Sequence, residues 1–184
     1  MKWAAILPRL FVSGPYLGEP MQYNLPLLGR VGAVSMSEKQ IQRSALVVFS
    51  AEQMFALVND IEAYPKFMEG CVSAQVLERT EGSVLARLEI QKMGITQGFT
   101  TRNILTPPLS MQMTLVDGPF KVFTGRWDFT PLNAEACKVS FELHYEFANS
   151  LLTMMAGKWM EAVANEQVEA ICLRAKQVYG AAHD

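Results

Sequence analysis

The 184-residue chain has little from which to build a metal centre or a disulfide framework. Its three cysteines, Cys71, Cys137 and Cys172, are an odd set without ligand spacing, and its two histidines are His144 and His183. That argues for reduced thiols in a cytosolic protein and against a zinc site. No apolar run approaches the roughly 18 residues of a membrane span. A formal charge of −2 excludes a general basic surface for nucleic acid and leaves room only for a local patch. Glycine-rich phosphate loops and nucleophile elbows are also missing. What is present is apolar residues, half of the total, enough for one domain with a sizeable core.

Residues 1–35 stand apart. Pro8, Pro15, Pro20 and Pro26 fall here with four glycines, and no helical or strand period persists, so an extended or disordered arm is expected, with the domain proper over 36–184. Lys2 before Trp3–Leu7 hints at a signal peptide, but Pro8 and Arg9 cut the apolar segment short. Met36 opens directly onto the first periodic segment and would itself make a start.

Lys39 to Val48 reads as a strand. Ser50 and Gln53 match a capping box and Phe49 and Met54 a hydrophobic staple, so a helix should run to about Asp60. A second short helix, Ile61 to Met68, should be interrupted at Tyr64-Pro65. Six alternating segments follow: Val72–Arg79, Val84 to about Met93, Ile95–Leu105, Met111 to Asp117, Phe120–Phe129 and Cys137–Phe147. The turn residues between them demand an antiparallel meander. Gly98 and Gly125, inside strands, suggest bends or bulges. The chain then closes on an amphipathic run, Ser150 to Gly180, of about 30 residues or roughly 45 Å. Leu152, Met155, Trp159, Val163, Ile171, Ala175 and Val178 trace its stripe, Asn149 or Ser150 caps its start, and Gly180 takes the place of a left-handed C′ residue. Such a stripe must lie across the sheet, which makes the chain an α+β domain.

Catalytic groups are scarce. By strand parity His144, Glu142 and Glu146 point outward, His183 lies past the helix, and Asp117 sits in a turn where it can satisfy nearby amides, so no enzyme is expected. The inward faces say more. Phe99, Met111, Met113, Phe123, Trp127, Phe141 and Tyr145 converge on Met155 and Trp159 of the long helix. Shaped aromatic walls with adaptable methionines suit a lipophilic ligand, as they also suit a filled core. Lys92, Arg102, Lys121 and Arg126 near strand ends are the candidates for a nucleic-acid contact.

The segment Leu57-Val58-Asn59-Asp60-Ile61-Glu62-Ala63-Tyr64-Pro65-Lys66-Phe67 after the first strand resembles the START-like polyketide cyclase and coenzyme Q-binding superfamily. Phe99-Thr100-Thr101-Arg102-Asn103, Leu115 to Phe120 and Trp127 to Leu132 resemble its bacterial ribosome association toxin branch, and the likeness runs from about Gln40 to Gly180. The resemblance implies a helix-grip fold: a curved seven-stranded antiparallel sheet around a long C-terminal helix, with two short helices after the first strand. It implies a ubiquinone or similar polyprenyl lipid as ligand in support of respiration, no other cofactor, and Thr101 and Asn103 as polar groups for the head. It also implies, as the alternative activity, binding of the large ribosomal subunit that blocks subunit association and translation. An antitoxin protein would then be a further partner. Such a protein would be cytoplasmic, with peripheral contact at the inner membrane.

Overall fold

The computed structural model describes residues 38–92 and 94–180; of Lys92, Ile95 and Trp159 it describes the backbone only. The expected N-terminal arm and His183 lie outside the described residues.

Strand β1 (Lys39–Val47) leads into helix α1 (Ala51–Asn59) and a 3₁₀ segment (Ile61–Lys66). Strands β2 (Cys71–Arg79), β3 (Ser83–Lys92), β4 (Ile95–Thr106), β5 (Ser110–Asp117), β6 (Phe120–Asn133) and β7 (Ala136–Phe147) follow, and then helix α2 (Ser150–Tyr179). All pairings are antiparallel in the order β1-β7-β6-β5-β4-β3-β2. The two short helices carry the chain from one edge of the sheet to the other, and hairpins bring it back until β7 closes on β1. This is the expected helix-grip.

The local signals explain the starts of the elements. Ser50 Oγ accepts from the Gln53 amide at 3.2 Å and Gln53 Oε1 from the Ser50 amide at 2.8 Å, a complete capping box. Asn149 Oδ1 accepts from the Leu152 amide at 2.9 Å and caps α2. Gly118 has φ +151 in the turn after Asp117. Chain breaks were harder to place. Pro65 sits inside the 3₁₀ segment without interrupting it: Tyr64 O accepts from both Phe67 and Met68 amides, and Tyr64 Oη donates to Val58 O at 2.6 Å. The bonds that close the segment are donated by Phe67 and Met68, so the N–H that Pro65 lacks is not one of them. β6 runs on through Pro131 to Asn133, beyond the end of its pairing with β5, where proline withholds no ladder bond on that side.

Three expectations are corrected. Gly98 and Gly125 keep regular register, and the irregularities fall at Cys71/Ser73, Val76/Glu78, Thr100/Thr101, Phe120/Val122 and Pro131/Asn133. The two glycines make room instead: a Cβ at Gly98 would strike the Arg87 guanidinium, and one at Gly125 the Met113 Cε methyl. Gly180 has φ −67 and its amide bonds Lys176 O, so it prolongs α2 in a right-handed conformation. Finally, the buried stripe of α2 is Met160, Val163, Ala164, Val168, Ile171 and Ala175, while Met155 is 56% and Val178 44% exposed. At about 100° per residue Met155 stands roughly 180° round the helix from Ala164, on the solvent side.

Burial has a titration consequence. Desolvation pushes the Cys71 and Cys137 thiols up to about 11 and the Tyr145 phenol to about 12, and Tyr64 rises further still. A raised pKa in the folded state favours the neutral form, so the stability it contributes is complete below the unfolded-state values, near 8.5 for Cys and 10 for Tyr. It is lost as pH climbs through the folded values. Thermal midpoints should therefore stay flat from pH 7 to about 8.5 and decline steadily toward pH 12. A flat profile across the alkaline range would mean these groups are not desolvated.

Candidate ligand cavity

Alternation along the central strands turns one set of side chains toward α2. Phe99, Thr101 and Asn103 come from β4, Met113 from β5, Phe123 and Trp127 from β6, and Phe141 and Leu143 from β7. Ala86, Leu88 and Ile90 extend the wall on β3, and Met160, Val163, Ala164 and Gln167 of α2 form the roof. Ile61, Tyr64, Met68, Glu69 and Cys71 close the end nearest the 3₁₀ segment. Between them lies a cavity of about 90 Å³. A single water needs on the order of 10–15 Å³ of such space, so the void admits several waters or a small ring. Exposed Glu69 and half-buried Gln167 stand where the cavity meets solvent.

Two groups of rings stiffen the wall. Phe99, Phe120 and Phe123 pack with centroids 4.9–5.8 Å apart, and Trp127 packs on Phe141 at 4.5 Å. Along β6 the inward positions read Phe123, Gly125, Trp127, so glycine leaves a notch between the two groups. Met113 is directly opposite Gly125 in the ladder and its methyl fills that notch. The floor is thus a flexible thioether between rigid rings. Polar groups are few. Thr101 and Asn103 are 4% and 3% exposed, and Asn103 Oδ1 has no hydrogen-bond partner among the described residues.

Several expected site residues lie elsewhere. Met111 and Tyr145 are buried but belong to the packed core outside the cavity wall; Tyr145 packs against Phe120 and Phe147. Met155 faces solvent, and the Trp159 side chain is outside the described set. The β3 contribution was legible as alternation, but the 3₁₀ and β2 contributions carry no periodic signal.

The candidate basic residues form no free patch. Arg102 pairs with Glu78 at 3.5 Å, Lys121 with Glu146 at 3.1 Å, and Arg126 with Asp128 at 2.7 Å, a contact that raises the Arg126 pKa. The Lys92 side chain lies outside the described set. Glu146, expected on the wet face, is buried. His144 is on the outer face as read, 2.8 Å from Glu142, which also accepts from Gln40 and Gln42. These bonds, that from His144 foremost, hold the Glu142 carboxyl below its usual range.

A curved antiparallel sheet gripping a helix around an apolar void defines a class, and sequence comparison agrees. Residues 47–172 match the polyketide cyclase / dehydrase and lipid transport family, and the chain belongs to it. Within that family it falls in the branch of the ribosome association toxins. It is 49% identical over 142 residues to the ribosome association toxin RatA of Escherichia coli K12, covering 77% of this chain and 90% of that one. The RatA of Vibrio cholerae O1 El Tor Inaba is 50% identical over 142 residues, 77% of this chain and 99% of its own. A more distant relative is the mitochondrial coenzyme Q-binding protein COQ10 homolog B of Xenopus laevis, 25% identical over 156 residues, 82% of this chain and 64% of that one. Among solved structures, the Zhui aromatase/cyclase of a Streptomyces species superposes with a TM-score of 0.67 at 18% identity, over 78% of this chain and 98% of its own. The fold by itself therefore accommodates proteins named for binding and proteins named for cyclisation.

Proposed function

We propose that the chain is a non-enzymatic binding protein that takes the ring of ubiquinone or a similar polyprenyl lipid into the cavity beneath α2, in support of respiration. It works in the cytoplasm, with peripheral contact at the inner membrane. The observation that carries this is the aromatic-walled void with two buried polar groups. A void of about 90 Å³ receives a ring, and the isoprenoid tail leaves past Glu69 and Gln167. The titratable groups inside argue against catalysis: Tyr64 and Cys71 are held neutral by burial at ordinary pH, and the Tyr64 hydroxyl is already engaged with Val58 O. The test is solvent extraction and mass spectrometry of the natively purified protein, which should yield a stoichiometric polyprenyl lipid. A protein that emerges empty and takes up no added short-chain quinone would end this reading.

A second reading has its own support in the names of relatives about half identical to this chain, the ribosome association toxins. Contact with the large subunit through Arg102 or Arg126 would require rearranging their ion pairs, which are exposed and worth only about 0–1 kcal/mol each. Lys121 is instead tied to the buried Glu146, and taking a cation away from a buried carboxylate is costly. Pairing therefore does not bar RNA from the two arginines. Co-sedimentation with large subunits should weaken as salt rises, because phosphate neutralisation releases counterions. The two activities use opposite faces of the sheet and can coexist.

A further inference from the structure

Asn103 sits on the β4 wall of the cavity with its side chain closed off from bulk solvent, and its Oδ1 has no hydrogen-bond partner among the described residues. Across the ladder it faces Met113, which offers it nothing polar, and no described hydrogen bond joins it to Thr101, two residues along the same wall. A carbonyl oxygen stranded in an apolar enclosure is costly unless something donates to it. We infer that the occupant of this cavity presents a hydroxyl or N–H donor on an otherwise apolar ring, and that Asn103 Oδ1 accepts it. This rests on the proposal that the void is a ligand cavity, and it adds the polarity of the ligand. Of the two redox states of a quinoid ring, the hydroquinone carries O–H donors and the quinone carries only carbonyl acceptors.

The experiment titrates the full chain calorimetrically with 4-ethylphenol and with its methyl ether, 4-ethylanisole. The wild-type protein should bind the phenol at least tenfold more tightly, a difference of about 1.4 kcal/mol. Asn103→Leu should abolish that preference while still binding the ether. A wild-type protein that binds both equally overturns the inference and leaves the cavity proposal standing. A preference that persists in Asn103→Leu is steric and overturns the role of Asn103. If neither compound binds at millimolar concentration, the cavity proposal itself falls. Should Asn103→Leu not fold, wild-type protein titrated anaerobically with durohydroquinone and duroquinone decides the matter. Their fully substituted rings leave no site for thiol addition by Cys71, and equal affinities would overturn the inference.

Discussion

Replacing Ile171 by alanine should lower the unfolding free energy by about 2–5 kcal/mol, the usual range for emptying a buried aliphatic site. Ile171 is fully buried on the face of α2 that meets the core, in line with Val168 and Ala175. For a domain of this size the loss corresponds to a drop of roughly 5–20 °C in thermal midpoint. Met155→Ala, one long turn outside that face, should move stability by no more than about 0.5 kcal/mol. Denaturant titration of the two variants checks the phase of the helix directly. Equal, small changes would detach α2 from the core.

The second large effect concerns the void. Ala164 is buried on α2 and lines the cavity. Ala164→Leu adds three carbon atoms, each of which gains about 0.8 kcal/mol when it moves from water into space already present. The variant should fold at least as stably as wild type while losing lipid co-purification, or affinity for ring probes, by tenfold or more. In a fully packed core the same change would cost about 1–3 kcal/mol through strain. A destabilised variant that keeps its lipid would therefore show that the space is not the binding site. Arg102→Glu combined with Arg126→Glu, on the outer face, should leave lipid retention untouched.

The contrast between Met155 and Phe141 shows what sequence can locate. Phe141 lies on β7, where apolar and polar residues alternate without exception from Cys137 to Glu146, and a period of two admits only two faces. Its side was therefore legible, as were those of Phe99, Met113, Phe123 and Trp127. On a helix, neighbouring choices of stripe differ by about 100°. A run as rich in methionine and alanine as Met154 to Ala164 supports more than one stripe, and Met160 with Ala164 defines the buried one. Tyr64 reaches the cavity from the 3₁₀ segment, Met68 from the bend after it and Cys71 from the first residue of a strand, where no repeat exists to be read. The pairing of Arg102, Lys121 and Arg126 was hidden for a different reason. Their partners are set by which side chains happen to lean together on the sheet surface, and three charges that look like a patch in the sequence are neutralised one by one.

Because β1, among the described residues, hydrogen-bonds to β7 and to no other strand, it has no partner until the last strand of the sheet exists. Synthesis delivers β2 to β7 as a run of hairpins that can zip locally, but the closing pair and the grip of α2 are contacts of very long sequence separation. Such topologies fold slowly, since the entropy of closing a long loop is lost before the contacts that repay it form. The nascent chain consequently carries β1 unpaired until β7 has been made, and the cavity comes into being only once α2 has left the ribosome.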